Sequence, residues 1–437
     1  MGAGTSSAVA NPGALSELRD GMQAGRTDPV RLLQRYLARI DAVEGRVQGW
    51  RIVDRDGAMA QAAKLCKELA TGTPGPLHGI PVAIKDIIDV AGFPTRAGSR
   101  TRDHIAPSGG DATIVARLRA AGAVIVGKAH TTEFAYFDGP PPTRNPHDLA
   151  RTPGGSSGGP AAVVAAGMVP LSIGSQTAGS VSRPAAYCGI AAFKPSTLAW
   201  PTFGVVPFAP SFDTVGVFGY RTTDATAAAR ALMPLFLPPP SPFASAVTIG
   251  IAEDPILDDA SEAVRQAVRS AVKKLTAAGT RTPAWRSPVD FAEIIVWHKT
   301  ISEFELARAH PSLTAAPASQ VTPALLEAIE RGRDIDADRY TDALRALDAA
   351  RARFWKAFHG CEALLLPAAP DVAPVGMKTG DPRFIIPFTA LGGPIVSVPV
   401  GYDQGLPLGI MLAGPPGADR ALADIADRVA PLIEVAR

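Results

Sequence analysis

Apolar positions recur along this chain with the periods of both helices and strands. After Asp28-Pro29, the residues Val30, Leu33, Leu37 and Ile40 return every three or four positions, the spacing of one buried helix face. Asp before Pro supplies an N-cap and a first helical residue with φ already set. Shorter helices are expected at about Leu15 to Met22 and Met59 to Leu69. Leu77 to Val90 reads as strand and turn, with Pro81 at a strand end or edge. Asp111 is expected to cap a helix whose apolar positions are Ile114, Val115 and Leu118 and which Gly122 ends; Ala123 to Val126 follows as a buried strand.

Phe134 to Arg151 is polar and proline-rich, the composition of a loop. Ala161 to Gly167 reads as a buried helix and Val169 to Ile173 as a strand. Turns are expected beyond Pro195, then a helix near Asp224 to Leu232, a proline-rich connector from Leu235 to Pro242, and a strand over Val247 to Ile251. From Asp258 to His359 the periodicity is helical: Val264, Val268, Ala271 and Leu275 form one stripe, and Tyr340, Leu344, Leu347, Phe354 and Phe358 another. The charges clustered there, Arg331 and Arg333 included, are expected on solvated helix faces. Strand patterns return at Leu364 to Leu366, Ile395 to Val398 and Leu408 to Leu412, before a closing helix over Asp419 to Leu432. This order predicts a single α/β domain with a mixed central sheet flanked by helices on both faces. Its core would comprise about residues 1–240 and 363–437, interrupted by a helical insertion at about 241–362.

Composition narrows the function classes. Of 437 residues, 46% are hydrophobic and 19% charged, which predicts a large core with little solvated helix surface. A net charge of +2 is too small to point to nucleic acid or an anionic membrane. Cys66, Cys188 and Cys361 are odd in number and form no CxxC pair, so a reducing, cytoplasmic compartment is expected. The first residues show no signal-peptide pattern. The longest apolar run, Ala161 to Leu171, is too short to span a bilayer. The seven histidines, His78, His104, His130, His147, His298, His310 and His359, have no metal-ligand spacing. No metal or other cofactor is expected, and His298 and His310 read as surface or packing residues.

The candidate chemistry lies between Pro153 and Pro195. Two serine-bearing glycine runs, Gly154 to Gly159 and Thr177-Ala178-Gly179-Ser180, flank an apolar small-residue segment. Small residues around a serine let a ligand approach the backbone and leave its N–H groups free to donate to an oxyanion. No histidine lies inside this stretch. Lys85, at the end of the apolar run Ile80 to Ile84, would act as a base if burial kept its amine neutral; the plainer reading pairs it with Asp86 or Asp89. Gly154-Gly155-Ser156-Ser157-Gly158 also matches G-x-S-x-G, but the preceding His147 to Pro153 is polar and ends in proline, not the strand that a nucleophile elbow needs. Neither run has a phosphate-loop pattern.

At these residues the chain resembles the amidase signature family. Leu77 to Asp86 is similar to its lysine segment. Asn145-Pro146 and Arg151 to Gly159 resemble its Gly-Ser loop, and Gly174 to Val181 through Cys188-Gly189 its nucleophile loop, closed by Phe193-Lys194-Pro195. The resemblance implies Ser180 as nucleophile, Ser156 on a cis peptide as bridging serine, and Lys85 as general base. It places the oxyanion hole at the backbone N–H groups of Thr177, Ala178, Gly179 and Ser180. Thr131, Ser157 and Gln176 are candidates for substrate binding. Where the family usually reads Asp-Thr-Gly-Gly-Ser-Ile-Arg, this chain has Gln176, Ser182 and, one place late, Arg183. The two changes remove opposite charges together and read as a neutral substitute for an ion pair.

The function so implied is hydrolysis of a small-molecule carboxylic amide, ester or carbamate through a serine acyl-enzyme, by a monomer or homodimer without nucleic-acid or membrane partners. The alternatives are an A-type subunit of the glutamyl-tRNA amidotransferase, which works in an assembly with tRNA, and a non-catalytic binding module.

Overall fold

A computed structural model describes residues 7–69, 72, 74–137, 139, 141–233 and 247–435. The chain opens with α1 (Leu15–Gln23), α2 (Pro29–Val47), β1 (Trp50–Val53) and α3 (Arg55–Leu69). Next come β2 (Pro81–Lys85), α4 (Thr113–Ala120), β3 (Val124–Ala129), α5 (Gly158–Ala165), β4 (Leu171–Gln176) and α6 (Ser182–Cys188). They are followed by β5 (Ala191–Lys194), β6 (Thr214–Gly219), α7 (Thr222–Leu232), β7 (Ile249–Glu253), α8 (Glu262–Ala277) and β8 (Ala284–Arg286). The helices α9 (Phe291–Ala309), α10 (Pro323–Arg333) and α11 (Ala337–Ala357) lead into β9 (Ala363–Pro367), α12 (Ile386–Ala390), β10 (Ile395–Asp403), β11 (Leu406–Ala413) and α13 (Asp419–Ile433).

Among the described residues the strands form one mixed sheet of 11, in the order β1-β3-β2-β4-β6-β5-β10-β11-β9-β7-β8. The fold is α/β. Side chains alternate across a strand, and the core divides accordingly. Val82, Ile84 and Ile125 pack on one face with Ile114 and Leu118 of α4. Ala83, Val124 and Val126 pack on the other with Leu33 and Leu37 of α2 and Val163 of α5. Covered on both faces, β2, β3 and β4 are buried throughout, which is why Val82 to Ile84 and Val124 to Val126 read as continuous apolar runs.

Most elements lie where the periodicity places them. Asp28 caps α2 by accepting from Arg31 N at 2.9 Å. Asp111 does not cap α4: the N-cap is Ala112, and Asp111 instead accepts from Ala91 N and Arg119 Nε, both at 2.8 Å. Where turns were expected beyond Pro195, β6 runs antiparallel to both β4 and β5. Its Gly216 weakens the strand pattern, yet the glycine fits the packing, because a Cβ there would meet Phe193 O at 3.0 Å and Val181 Cγ2 at 3.1 Å.

The stretch expected as a helical insertion supplies α8 to α11 and also two strands. β7 lies parallel to β9, and β8 parallel to β7, at one edge of the same sheet. Arg331 is not simply solvated, since its guanidinium binds Glu303 Oε1 at 2.8 Å and joins α10 to α9. The expected connector from Leu235 to Pro242 lies outside the described residues.

Candidate active site

Parallel pairing brings the site together. Val82, Ala83 and Ile84 of β2 stand beside Leu171, Ser172 and Ile173 of β4, so Lys85 and Ser175 emerge at the same carboxyl edge of the sheet. Clefts in α/β sheets form at such edges. Lys85 Nζ lies 2.7 Å from Ser156 Oγ and 2.8 Å from Ser175 Oγ. Its amine is fully buried, and burial pushes its pKa well below the ordinary lysine value, with the nearby Asp213 carboxylate as a smaller opposing effect. Asp86 and Asp89 are not its partners: Asp86 pairs with Lys128 at 2.9 Å, both buried.

Ser156 follows a cis peptide bond from Gly155. Its segment is pinned from three sides. Thr132 N donates to Ser156 O at 3.4 Å, and Arg183 Nη2 donates to Gly155 O at 2.7 Å. Ser157 Oγ donates to Ser175 O and accepts from Ser175 N, at 3.1 and 3.2 Å. Gly174 permits this approach, since a Cβ there would come within 2.8 Å of Ser157 Oγ. No strand precedes Ser156, so the elbow geometry is absent.

Ser180 sits on the turn between β4 and α6. Exposure rises from 0% at Lys85 through 2% at Ser156 to 6% at Ser180, which makes Ser180 the most exposed residue of the three. Gln176 braces this turn. Its Oε1 accepts from Val181 N and Ser182 N, both at 2.9 Å, and its Nε2 donates to Thr389 Oγ1 at 2.9 Å. Thr389 Oγ1 in turn donates to Ala178 O at 2.5 Å. Among the described residues no acceptor takes a hydrogen bond from the backbone N–H of Ala178, Gly179 or Ser180. Unpaired N–H donors in a row are a grouping able to hold a negatively charged oxygen.

An amidase family model matches residues 31–423. The chain belongs to the amidase family. It is 34% identical to the A subunit of glutamyl-tRNA(Gln) amidotransferase from Salinispora arenicola (strain CNS-205), over 94% of this chain and 95% of that protein. Among solved structures it is similar to one described as an amidase (TM-score 0.88, 29% identity, 96% of this chain and 100% of that one). It is also similar to the peptide amidase of Stenotrophomonas maltophilia (TM-score 0.83, 26% identity, 97% of each chain).

In this amidase-family chain, Lys85, Ser156 and the Ser180 loop share one end of the sheet. The three pocket candidates are placed differently. Ser157 uses its hydroxyl on the Ser175 backbone, and the Gln176 side chain is taken up by the turn it braces, so both act as scaffold. Thr131 Oγ1 donates to Thr132 O at 3.1 Å, and the residue lines a cavity of about 390 Å³ with Arg51, Arg96, Arg100 and His130. The pattern of residues did not single out Ser175 or Asp213. Ser175 carried no distinguishing signal, since Ser172 and Gln176 of the same strand are polar as well. Asp213, whose pKa is raised by burial, accepts from Thr177 Oγ1 and from Phe208 N at 2.8 Å.

His298 and His310 are not surface residues. His298 Nε2 donates to Thr177 O at 2.8 Å, and His310 Nε2 to Pro207 O at 2.7 Å. Among the described residues no helix is long and apolar enough to cross a membrane.

Proposed function

We propose that this chain hydrolyses a small-molecule carboxylic amide, or a related ester or carbamate bond, through an acyl-enzyme on Ser180. The observation that carries the reading is the buried Lys85 amine 2.7 Å from Ser156 Oγ. A neutral amine accepts a proton and an ammonium does not; burial favours the neutral form. With Ser156 O–H donating to Nζ, an Nζ–H is left to donate to Ser175 Oγ. Ser156 Oγ then takes the proton of Ser180 O–H as Ser180 attacks the substrate carbonyl, and Lys85 takes the proton of Ser156. The N–H groups of the Thr177 to Ser180 turn receive the oxyanion, a kind of donor whose loss costs about 3–4 kcal/mol of transition-state stabilisation. The proton returns through Ser156 to the leaving amine or alcohol. Water, deprotonated along the same relay, releases the acid. This is a Ser-Lys form of triad logic.

A second reading is favoured by the full-length similarity to the amidotransferase protein of Salinispora arenicola: release of ammonia from an amide within an assembly that includes tRNA. The near-neutral charge of the chain and the uncharged Gln176 weigh against it.

The experiment is to purify the chain alone, assay it against a panel of anilides, aliphatic amides, esters and carbamates, and react it with a fluorophosphonate. Turnover by the lone chain and an adduct mapped to Ser180 are expected. Activity that appears only with added partner proteins favours the amidotransferase. An adduct at Ser156 removes Ser180 as the nucleophile, and absence of labelling favours a binding module.

A further inference from the structure

The helical stretch from α8 to α11 reaches the turn that carries Ser180. His298, on α9, is buried, packs against Phe212 with ring centroids 4.4 Å apart, and holds Thr177 O at 2.8 Å through Nε2. A carbonyl oxygen only accepts, so Nε2 carries hydrogen and the neutral ring leaves Nδ1 bare. Burial pushes the pKa of this histidine down to about 4, which keeps that neutral form through the neutral range. Thr177 is gripped a second time through its hydroxyl, which donates to Asp213, and Asp213 is itself held by Phe208 N and Ala209 N at 2.8 and 3.1 Å. The same helix α9 binds the neighbouring loop again, where Glu305 accepts from Ser211 N at 2.9 Å.

The carbonyl of Thr177 and the N–H of Ala178 belong to one planar trans peptide and point in opposite directions. Holding the first therefore aims the second. The next peptide is held likewise: Thr389 Oγ1 fixes Ala178 O and thereby the direction of Gly179 N–H. These are two of the three N–H groups left without an acceptor among the described residues.

We propose that His298 is a positioning residue for the oxyanion site: by holding the Thr177 carbonyl from behind, it aims the Ala178 N–H at the oxygen that becomes charged. This rests on the reading of Ser180 as nucleophile. It gives the helical stretch from α8 to α11 a part in rate. A substitution that shifts α9 would change turnover without touching substrate.

The test compares His298→Phe, which keeps a ring against Phe212 and loses the donor, with His298→Gln, which keeps an N–H. Three quantities are measured: kcat and KM on the best substrate of the panel, the rate constant for fluorophosphonate labelling, and the inhibition constant of phenylboronic acid. In His298→Phe, kcat and the labelling rate should fall by about 10- to 100-fold, somewhat less than loss of an oxyanion donor itself. Boronate inhibition should weaken by a similar factor, KM should stay within about threefold, and His298→Gln should recover most of the loss. Labelling stoichiometry and a thermal melt count the folded protein. If His298→Phe does not fold, a His298→Gln variant as active as the parent still supports the proposal, and a folded His298→Gln variant with no recovery overturns it. A His298→Phe variant with unchanged kcat, or with reduced kcat but undiminished boronate binding, also overturns it. A parent protein that neither turns over substrate nor labels at Ser180 overturns the underlying reading as well.

Discussion

Ser175 Oγ lies 2.8 Å from Lys85 Nζ, as close to the amine as Ser156 Oγ is at 2.7 Å. The lysine is held between two hydroxyls, one from its neighbouring strand and one from the Gly-Ser loop. In the proposed relay Ser175 orients the amine so that its lone pair meets Ser156. Replacing Ser175 by alanine removes one hydrogen bond of about 1 kcal/mol and leaves the relay intact. We expect kcat to drop by about tenfold, with fluorophosphonate labelling slowed and still confined to Ser180. Unchanged steady-state kinetics would remove Ser175 from the site.

Lys85 works as a base only when neutral, and burial lowers its pKa well below 10.5. kcat/KM should therefore rise with pH along an acid limb set by that lowered pKa and be level above it. Lys85→Arg keeps a cation that does not deprotonate in proteins. It should lose at least about 10³-fold in kcat at every pH, as losses of triad members do. A pH–rate profile of both proteins checks this.

Gln176 offers an oxygen to two backbone N–H groups and an N–H to Thr389, whose own hydrogen goes to Ala178 O. Gln176→Glu places a second acceptor against a hydroxyl that has one hydrogen. Either the carboxylate or the Ala178 carbonyl is then left unsatisfied, at about 1–3 kcal/mol. We expect a lower melting temperature together with a several-fold lower kcat, read by calorimetry and by the panel assay.

Arg183 is fully buried and donates to Gly155 O at 2.7 Å, while its Nε and Nη1 have no partner among the described residues. A buried guanidinium so poorly satisfied contributes little net stability. Arg183→Met should change the unfolding free energy by less than about 2 kcal/mol and yet reduce kcat by about tenfold, because Gly155 precedes Ser156. A large loss of stability with normal kcat in the folded fraction would contradict this.

His298 also links stability to pH. Its pKa is about 4 in the folded chain against 6.5 as a free group, lowered by burial and, less, by Arg351. Between those values the unfolded state binds more protons, so stability falls as pH drops from 6.5 towards 4 and levels off below. The contribution lost between pH 6.5 and 5 is about 2 kcal/mol. His130, also lowered to about 4 by burial and Arg51, acts in the same direction. The buried carboxylates Asp213, Asp86 and Asp224, raised by burial, act the other way, so the His298 contribution is read as the difference between the parent and His298→Gln in urea unfolding, which should shrink as pH falls through this range.

Local patterns carried most of the fold. Period and caps located α2, α8, α11 and the strands β2, β3 and β9, because a face that packs must be apolar at regular spacing. They missed β6, whose Gly216 admits Val181 and Phe193 and whose Gly219 lies against Asp224 and Ala225; both glycines break the strand pattern. They also misassigned Asp111, which is used by a loop and an arginine distant in sequence.

The segments proposed to be catalytic were also legible locally as candidates: a lysine closing an apolar strand and two serine-bearing glycine runs. What the chain order could not state is which groups meet. Ser175 against Lys85, Arg183 on Gly155, Thr389 on Ala178 and His298 on Thr177 join segments up to 211 positions apart. Periodicity records only whether a side chain faces the core. A hydrogen bond depends on the position of both partners to within a few tenths of an ångström, and that is settled when the sheet brings β2, β4, α9 and α12 to one edge.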